Sequence, residues 1–210
     1  MRASGLIVVT LAAFSWTLLG SSASLDRVEV SHDDGRFHLE ADSYLGARPA
    51  AISAVLLDFE NDAYSQISKV YKESDYLEPD ADGTPLVYTR VEGCLFVFCR
   101  SMSRVERLEV VTPGFIRSTV VPERSDFRYA TSEWTLAAEG VGTRVHYRMA
   151  LEPDFWLPPF IGPAFLRRIL LRGGIDAVER IEELAMEQER AEQAPALPQP
   201  AIAAVPVSDQ

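Results

Sequence analysis

Hydrophobic and polar residues alternate with a period of two through most of the middle of the chain. Residues 28–45 show this alternation around an Asp34-Gly35 turn signal, which predicts a strand or a hairpin. Six further segments have strand-like patterns, and turn residues separate most of them. These predicted strands are residues 69–77, 85–93, 101–112, 115–121, 130–137 and 143–151.

Two other parts of the chain follow helical spacing. Pro49 suits the first turn of a helix, and apolar residues follow it at three- and four-residue steps as far as Phe59. A short second helix is predicted near residues 64–67. The last element is a long helix over residues 163–190, whose apolar stripe is Phe165, Ile169, Ile175, Val178, Ile181 and Leu184.

The long helix contains a pair of glycines, Gly173 and Gly174. Two glycines inside a helix cost about 2 kcal/mol relative to alanine. A close approach of the backbone to the sheet or to a ligand would explain the pair, and so would a kink. The sequence leaves both explanations open.

The order of these elements indicates the class of fold. A strand or hairpin, two short helices, six strands and a long helix form an α+β arrangement with an antiparallel sheet. We expect one strongly curved sheet of about seven strands, with two short helices after strand 1. The long C-terminal helix should lie along the concave face, because its apolar stripe needs a partner.

Both ends of the chain differ in composition from the middle. Arg2, an uncharged apolar run over residues 6–19, and small residues at positions 21 and 23 predict a signal peptide over residues 1–23. An uncleaved anchor helix is the alternative. A domain over residues 24–190 would follow, and residues 191–210, rich in proline and alanine, would form a disordered tail. The predicted location is exported, in the periplasm.

Net charge narrows the class of partner. The chain has a formal net charge of −11, and 47% of its residues are hydrophobic, which is ample for a core. Proteins that bind nucleic acid concentrate positive charge on one face. Nucleic acid is therefore not the expected partner.

Several segments, taken in their order and spacing, resemble the START-like superfamily, also called SRPBCC. Residues 56–61 resemble the end of the family's first helix, and residues 132–136 with residues 142–147 resemble its last two strands. Residues 155–163 resemble the start of the final helix in exported bacterial members. The likeness is to the polyketide cyclase/dehydrase and coenzyme Q-binding branches.

The resemblance covers about residues 25–188 and implies a helix-grip fold with a hydrophobic pocket between helix and sheet. In such a fold, side chains that share the inner strand faces and the helix stripe would converge on the pocket. The candidate ligand-binding residues are Tyr88, Trp134, Leu136, Tyr147, Met149, Phe165 and Ile169. Arg90 and Arg104 are candidate partners for a polar head group, although we expect both at the surface.

Two cysteines, Cys94 and Cys99, flank an apolar segment. One straight strand would separate their Cα atoms by about 16 Å, whereas a disulfide needs less than about 7 Å. A disulfide therefore requires a hairpin, and a continuous strand with two free thiols is the alternative. The tip of such a hairpin would be exposed and would contact a bilayer or shield the pocket. Its residues are Leu95, Phe96, Val97 and Phe98.

A second apolar segment precedes the last helix. Residues 155–161 are aromatic and proline-rich, and three arginines follow near the helix N-terminus, where the helix dipole prefers acidic residues. Contact of Phe155 and Trp156 with a membrane that carries anionic head groups is one explanation. A solvated charged face is the other.

No motif for catalysis, a metal or a cofactor is found in the sequence. His32, His38 and His146 lack metal-ligand spacing with cysteines or acidic residues. Residues 78–83 faintly resemble a calcium loop, but Thr89 stands where the required glutamate would be, so a hairpin turn is predicted instead. We therefore assign no catalytic residue, no metal and no cofactor.

Three functions remain open. The first, which we expect, is binding or carriage of a hydrophobic, lipid-like molecule in an internal cavity, with peripheral membrane contact. The second is an enzyme of the cyclase/dehydratase type, which two or more ionisable side chains inside the cavity would favour. The third is an envelope interaction protein without a ligand, which an interior filled by side chains would favour.

Overall fold

The computed structural model describes residues 23–95, 98–155 and 162–193. The strands are β1 (Ser24–Asp33), β2 (Arg36–Leu45), β3 (Tyr71–Leu77), β4 (Leu86–Leu95), β5 (Phe98–Thr112), β6 (Phe115–Val120), β7 (Phe127–Glu139) and β8 (Gly142–Pro153). They form one antiparallel sheet in the spatial order β1-β2-β8-β7-β6-β5-β4-β3. All but the last residue of the predicted signal peptide, and most of the predicted tail, lie outside the described residues.

The N-terminal segment is a complete hairpin. β1 and β2 meet at Asp34 and Gly35, whose φ angles of 51° and 83° make the tight turn that this residue pair signals. The sheet therefore has eight strands rather than about seven, and the short helices follow the second strand rather than the first. The other six predicted strands appear as β3 to β8, with bounds that differ by no more than three residues.

The helices are α1 (Pro49–Leu57), α2 (Tyr64–Ile67) and α3 (Gly162–Gln193). Pro49 lies in the first turn of α1, as the sequence predicts. α3 continues without interruption through Gly173 and Gly174, and it packs against α1 and β1. In the described part of the chain, no helix combines the length and the apolar composition needed to cross a bilayer.

Two hydrophobic clusters form the core. The larger cluster joins α1, α2 and the C-terminal half of α3 to the sheet, and Ile52 and Ile181 are 1% and 3% exposed within it. The smaller cluster joins β2, β7 and β8 and includes Phe37 and Leu151. Residues from both clusters also line a cavity, so the core is not packed throughout.

A buried carboxylate ties α3 to the first strands of the sheet. Glu182 is 1% exposed, and its two oxygens accept hydrogen bonds from the backbone nitrogens of Gly46 at 2.6 Å and Ala23 at 3.0 Å. Glu189 accepts another from the backbone nitrogen of Arg48 at 2.7 Å. The acidic C-terminal half of α3 therefore holds the connection between β2 and α1.

Candidate functional site

A cavity of about 160 Å³ lies between α3 and the concave face of the sheet, and we call it the apolar chamber. One buried water needs about 10–15 Å³ of such volume, so the chamber has room for an organic molecule. Its walls include Gly174, Ala177, Val178 and Ile181 from α3, Leu39, Trp134, Tyr147 and Met149 from the sheet, and Leu56, Tyr64, Ile67 and Tyr71 from the region between α1 and β3.

Strand register places the sheet side chains of the chamber on one face. Trp134 of β7 lies opposite Tyr147 of β8, and Met149 of β8 lies opposite Leu39 of β2. Directly opposed residues of antiparallel strands point to the same face. The Trp134 and Tyr147 ring centroids are 4.0 Å apart with the planes inclined by 30°, so this wall is largely aromatic.

A smaller recess of about 30 Å³ adjoins the chamber, and we call it the polar recess. Both spaces use the side chains of Leu56, Tyr64, Tyr71, Trp134 and Tyr147 as wall residues. Beyond this shared wall the recess is lined by four polar side chains, those of Arg104, Glu106, Ser118 and Ser132. A large apolar space beside a few convergent polar groups is the usual form of a small-molecule site.

Arg104 and Glu106 form a buried ion pair in the polar recess. Nε of Arg104 lies 2.8 Å from Oε2 of Glu106, and the two side chains are 12% and 3% exposed. Ser118 Oγ donates a hydrogen bond of 2.8 Å to the other oxygen of Glu106. Burial, the largest single influence, lowers the pKa of Arg104, but the charge of Glu106 and the neighbouring tyrosines together raise it above its ordinary value. The guanidinium therefore remains charged.

Two tyrosines of the shared wall remain neutral at ordinary pH. Burial raises the pKa of Tyr147 above its usual range, and burial raises the pKa of Tyr64 well above it. The Tyr64 hydroxyl donates a hydrogen bond of 2.6 Å to the carbonyl of Leu56, whereas the Tyr147 hydroxyl donates one of 3.4 Å to Ser132 Oγ. The long bond of Tyr147 is the more easily exchanged for a bond to a ligand.

The structure places three of the predicted ligand-binding residues, Trp134, Tyr147 and Met149, in the wall of the apolar chamber. Leu136 instead packs in the larger core cluster, where it is 7% exposed. The side chains of Phe165 and Ile169 lie outside the described part of the structure. Whether a ligand touches any of these residues stays a prediction.

Tyr88 lies on the outer face of the sheet, so the prediction that it faces the cavity is wrong. Its neighbours Val87 and Thr89 are both fully buried, and alternation along β4 turns Tyr88 to the opposite side. The Tyr88 hydroxyl donates a hydrogen bond of 3.4 Å to the Glu73 carboxylate. Arg90 pairs with the same carboxylate at 2.5 Å, at the surface where the sequence placed it.

Glu106 is the candidate functional residue that sequence reasoning missed. Arg104 was named as a candidate partner for a polar head group, but we expected it at the surface. The structure shows Val105 only 4% exposed, so both faces of β5 are buried at this point. The alternation continues through Glu106 to Leu108, a core residue on the same face, and that continuation was the available signal.

The β4–β5 hairpin brings the two cysteines into register. Cys94 lies directly opposite Cys99, so the alternative of one continuous strand is wrong. Within the predicted tip, residues 96–97 lie outside the described part of the chain, as do the side chains of residues 94, 95 and 98. The disulfide therefore stays a prediction, although the backbone meets its requirement for facing residues.

The start of β5 contacts the segment that precedes α3. The guanidinium carbon of Arg100 lies 4.0 Å from the centre of the Phe155 ring, which is a cation–π contact. Trp156, the next predicted membrane-contacting residue, lies outside the described residues. The contact therefore brings Arg100, near the start of β5, beside Phe155, just after the end of β8.

Charged clusters elsewhere in the described residues are ion pairs. Among those residues, no group of three or more His, Cys, Asp or Glu side chains is placed to hold a metal ion. At the predicted hairpin turn, Arg107 binds both Asp80 and Asp82, so an arginine occupies the carboxylates that calcium would need. On the outer face of the sheet, His146 Nδ1 lies 2.6 Å from Asp42 Oδ1.

Comparison with known proteins bears on the fold. No family model and no curated protein matches the sequence. An aromatase/cyclase, Zhui, from a Streptomyces species is 15% identical, with a TM-score of 0.58 over 75% of this chain and 98% of its own. A START superfamily protein from Mycobacterium smegmatis is 17% identical, with a TM-score of 0.56 over 70% and 98%. A STAR-related lipid transfer protein from Xanthomonas axonopodis is 16% identical, with a TM-score of 0.53 over 76% and 98%.

These likenesses show that the chain has the START-like, helix-grip fold that the sequence resemblance implied. The eight-stranded sheet and the C-terminal helix are the elements that define it. At this level of identity the ligand and the chemistry of the neighbours do not transfer to this chain.

Proposed function

We propose that this protein binds and carries a hydrophobic, lipid-like small molecule in the apolar chamber. The observation that carries the proposal is the chamber itself, an apolar space of about 160 Å³ that the described side chains leave unfilled. Protein interiors otherwise pack as densely as organic crystals. An unfilled apolar space lacks dispersion contacts, and an apolar ligand would restore them.

The polar recess indicates which kind of polar group such a ligand would carry. Arg104 and Glu106 neutralise each other, so the recess offers no net positive charge to an anionic group. Tyr147 borders both spaces, and its hydroxyl is held only by a long bond to Ser132. We therefore expect a neutral acceptor, such as a carbonyl or hydroxyl oxygen, to lie beside Tyr147.

Native mass spectrometry of protein purified from its own cells, followed by organic extraction, tests the carrier function. We expect one defined hydrophobic compound at a ratio close to one per chain. Ala177→Phe places a ring inside the chamber and should abolish the co-purified compound. Glu179→Phe places the same ring on an exposed position of α3 and should retain it. Protein that is always empty and binds no lipid would contradict the proposal and favour a ligand-free interaction protein.

A second candidate function is an enzyme of the cyclase/dehydratase type. The specific observation in its favour is the convergence of Arg104, Glu106 and Tyr147 beside the chamber, because these groups could hold or move a proton. Incubation of the extracted compound and its precursors with the protein, followed by mass spectrometry, tests this function. Loss of water that Tyr147→Phe abolishes while binding persists would establish catalysis, and recovery of unchanged compound would count against it.

We also propose that the protein is exported and that one end of it contacts a membrane surface. The support is the apolar composition of the predicted signal peptide and of residues 95–98 and 155–161. The Arg100–Phe155 contact further supports a location of both apolar segments at one end of the molecule. A concentrated apolar surface at one end would bind a bilayer more strongly than two separated segments.

Sedimentation with vesicles that contain anionic lipid tests the membrane contact. Replacement of Leu95 and Phe155 by serine should reduce the bound fraction several-fold. Val141→Ser is the matched control, because Val141 is 87% exposed and lies in the β7–β8 turn at the other end of β8. An equal loss in both variants would contradict a specific membrane surface. Cell fractionation with N-terminal sequencing tests export and cleavage separately.

The predicted disulfide can be tested by counting thiols in the purified mature protein. We expect no reactive thiol before reduction and two after it, because Cys94 and Cys99 face each other across the hairpin. A loop this short should contribute about 2 kcal/mol of stability, measured as the difference in unfolding free energy with and without reductant. Two reactive thiols in the oxidised preparation would contradict the pairing.

A further inference from the structure

A glycine in the middle of a long helix forms part of the chamber wall. Gly174 lines the apolar chamber together with Ala177, Val178 and Ile181, which follow it at helical spacing on α3. The helix backbone itself therefore borders the empty space at this position. Glycine is the least favourable residue in a helix interior after proline, so its presence here requires a reason.

The local backbone does not supply that reason. α3 is helical on both sides of Gly174, and the φ angle of Gly174 lies outside the left-handed region in which glycine is preferred. Alanine could adopt the same conformation without strain. The kink that the sequence left open is not needed to explain the residue, because the helix continues through it.

Close packing does not supply the reason either. Apart from the neighbouring residues of α3 itself, no atom of the described residues would lie within 4 Å of a Cβ atom built on Gly174, so this atom would project into open space. Gly114 shows the opposite case, because a Cβ atom there would lie 2.7 Å from the carbonyl oxygen of Leu136. Gly114 is thus required by the protein's own backbone, whereas Gly174 is not.

We infer that Gly174 is a specificity-determining contact for the ligand, whose apolar body lies directly against the backbone of α3. This inference rests on the proposed function and adds to it the shape of the ligand. The missing side chain widens the chamber, whose lining also includes the closely spaced rings of Trp134 and Tyr147. The ligand should therefore have an apolar body that is broad at this level.

Substitution of Gly174 distinguishes two explanations for the glycine. If the residue serves ligand contact, alanine should stabilise the ligand-free protein, and if the fold requires glycine, alanine should destabilise it. Gly174→Ala should raise the melting temperature of the ligand-free protein by about 2–4 °C, since alanine favours the helix and meets no clash. Gly174→Leu fills more of the chamber and should weaken binding by at least about tenfold, with the alanine variant between it and wild type.

The probes are N-phenyl-1-naphthylamine, which is neutral, broad and fluorescent, and 1-dodecanol, which is neutral, narrow and extended. Affinity for each is measured by fluorescence titration and by calorimetry on the full mature chain. Asp176→Ala is the matched control, because Asp176 is exposed on the same helix and the change favours the helix without touching the chamber. This control should raise the melting temperature and leave both affinities unchanged. The loss for Gly174→Leu should be larger for the broad probe.

Three results would overturn the inference. Wild-type affinity in both Gly174 variants would show that the ligand does not reach this position, while the proposed function would stand. A lower melting temperature for Gly174→Ala would show that the protein itself needs the glycine. Failure of the wild-type protein to bind either probe or any cellular lipid would remove the proposed function and this inference together.

Discussion

The apolar chamber and the polar recess share a wall of five side chains, but they differ in how their own groups are satisfied. The chamber holds about 160 Å³ of space whose lining is mostly apolar. The recess holds only about 30 Å³, and its charged groups are paired with each other and with Ser118. The two regions are next to each other on the same face of the sheet.

The difference follows from the cost of leaving each kind of surface without a partner. An empty apolar space loses only dispersion contacts, which are individually small. An unpaired buried charge costs several kcal/mol, so Arg104 and Glu106 must be paired before any ligand arrives. The chamber can therefore stay empty at a small cost in free energy. Under the proposed function, the paired charges of the recess are already in place to orient one end of the ligand.

Removal of one charge from the polar recess should lower the free energy of unfolding more than any other change described below. Glu106→Gln keeps the shape of the side chain but leaves the Arg104 guanidinium without its partner. We expect a loss of about 3–5 kcal/mol in the free energy of unfolding, measured with urea. Replacement of both residues, Arg104→Met with Glu106→Leu, should recover most of that loss because no charge remains buried.

An exposed ion pair on nearby strands provides the control for this experiment. Nε of Arg117 lies 2.9 Å from Oε1 of Glu133, with the side chains 40% and 30% exposed. Glu133→Gln should cost less than about 1 kcal/mol, since solvent screens the charges. Equal losses in Glu106→Gln and Glu133→Gln would show that the recess is not a low-dielectric site.

Truncation of core and chamber side chains should give the next largest effects. Leu136 lies in the packed cluster, and Leu136→Ala should cost about 2–5 kcal/mol because it creates a new cavity. Met149 borders space that is already empty, so Met149→Ala should cost only about 1–3 kcal/mol. In probe titrations, Met149→Ala should reduce the affinity more than Leu136→Ala does. A larger loss of affinity in Leu136→Ala would mean that the ligand lies elsewhere.

Alkaline pH should lower the stability of the folded protein by a smaller amount, because Tyr64 of the shared wall is buried. The ordinary pKa of tyrosine is 10.0, and burial raises the pKa of Tyr64 in the folded state. Above about pH 10 the unfolded chain releases this proton and the folded chain retains it, so stability falls with rising pH by about 1.4 kcal/mol per pH unit at most. Below pH 10 this contribution is fully present.

Urea unfolding between pH 9 and pH 11 measures this slope. Tyr64→Phe should make it shallower. Tyr76→Phe should change it less, because Tyr76 is 37% exposed and solvent can stabilise its charged form in the folded state. An unchanged slope in Tyr64→Phe would show that this hydroxyl is not buried.

Sequence reasoning succeeded where an element has one buried face. The alternation in β7 and β8 predicted an inward direction for Trp134, Tyr147 and Met149, which line the chamber, because most of their neighbours along these strands are polar. It failed at β5, where Val105 is buried on the other side of the strand and hides the inward direction of Arg104. When both faces of a strand are covered, the two-residue alternation does not show which side chains point toward the interior of the protein.

The sequence alone determined the order of the elements, the turn at Asp34 and Gly35, and the apolar stripe of the last helix. Each of these depends on residues that are close along the chain, so local periodicity and turn chemistry were enough. Only the tertiary structure decided that a space remains open beside Gly174, that Arg104 and Glu106 lie next to Tyr147, and that Arg100 meets Phe155. These features depend on how strands distant in sequence pair and curve around the helix, which no local pattern records.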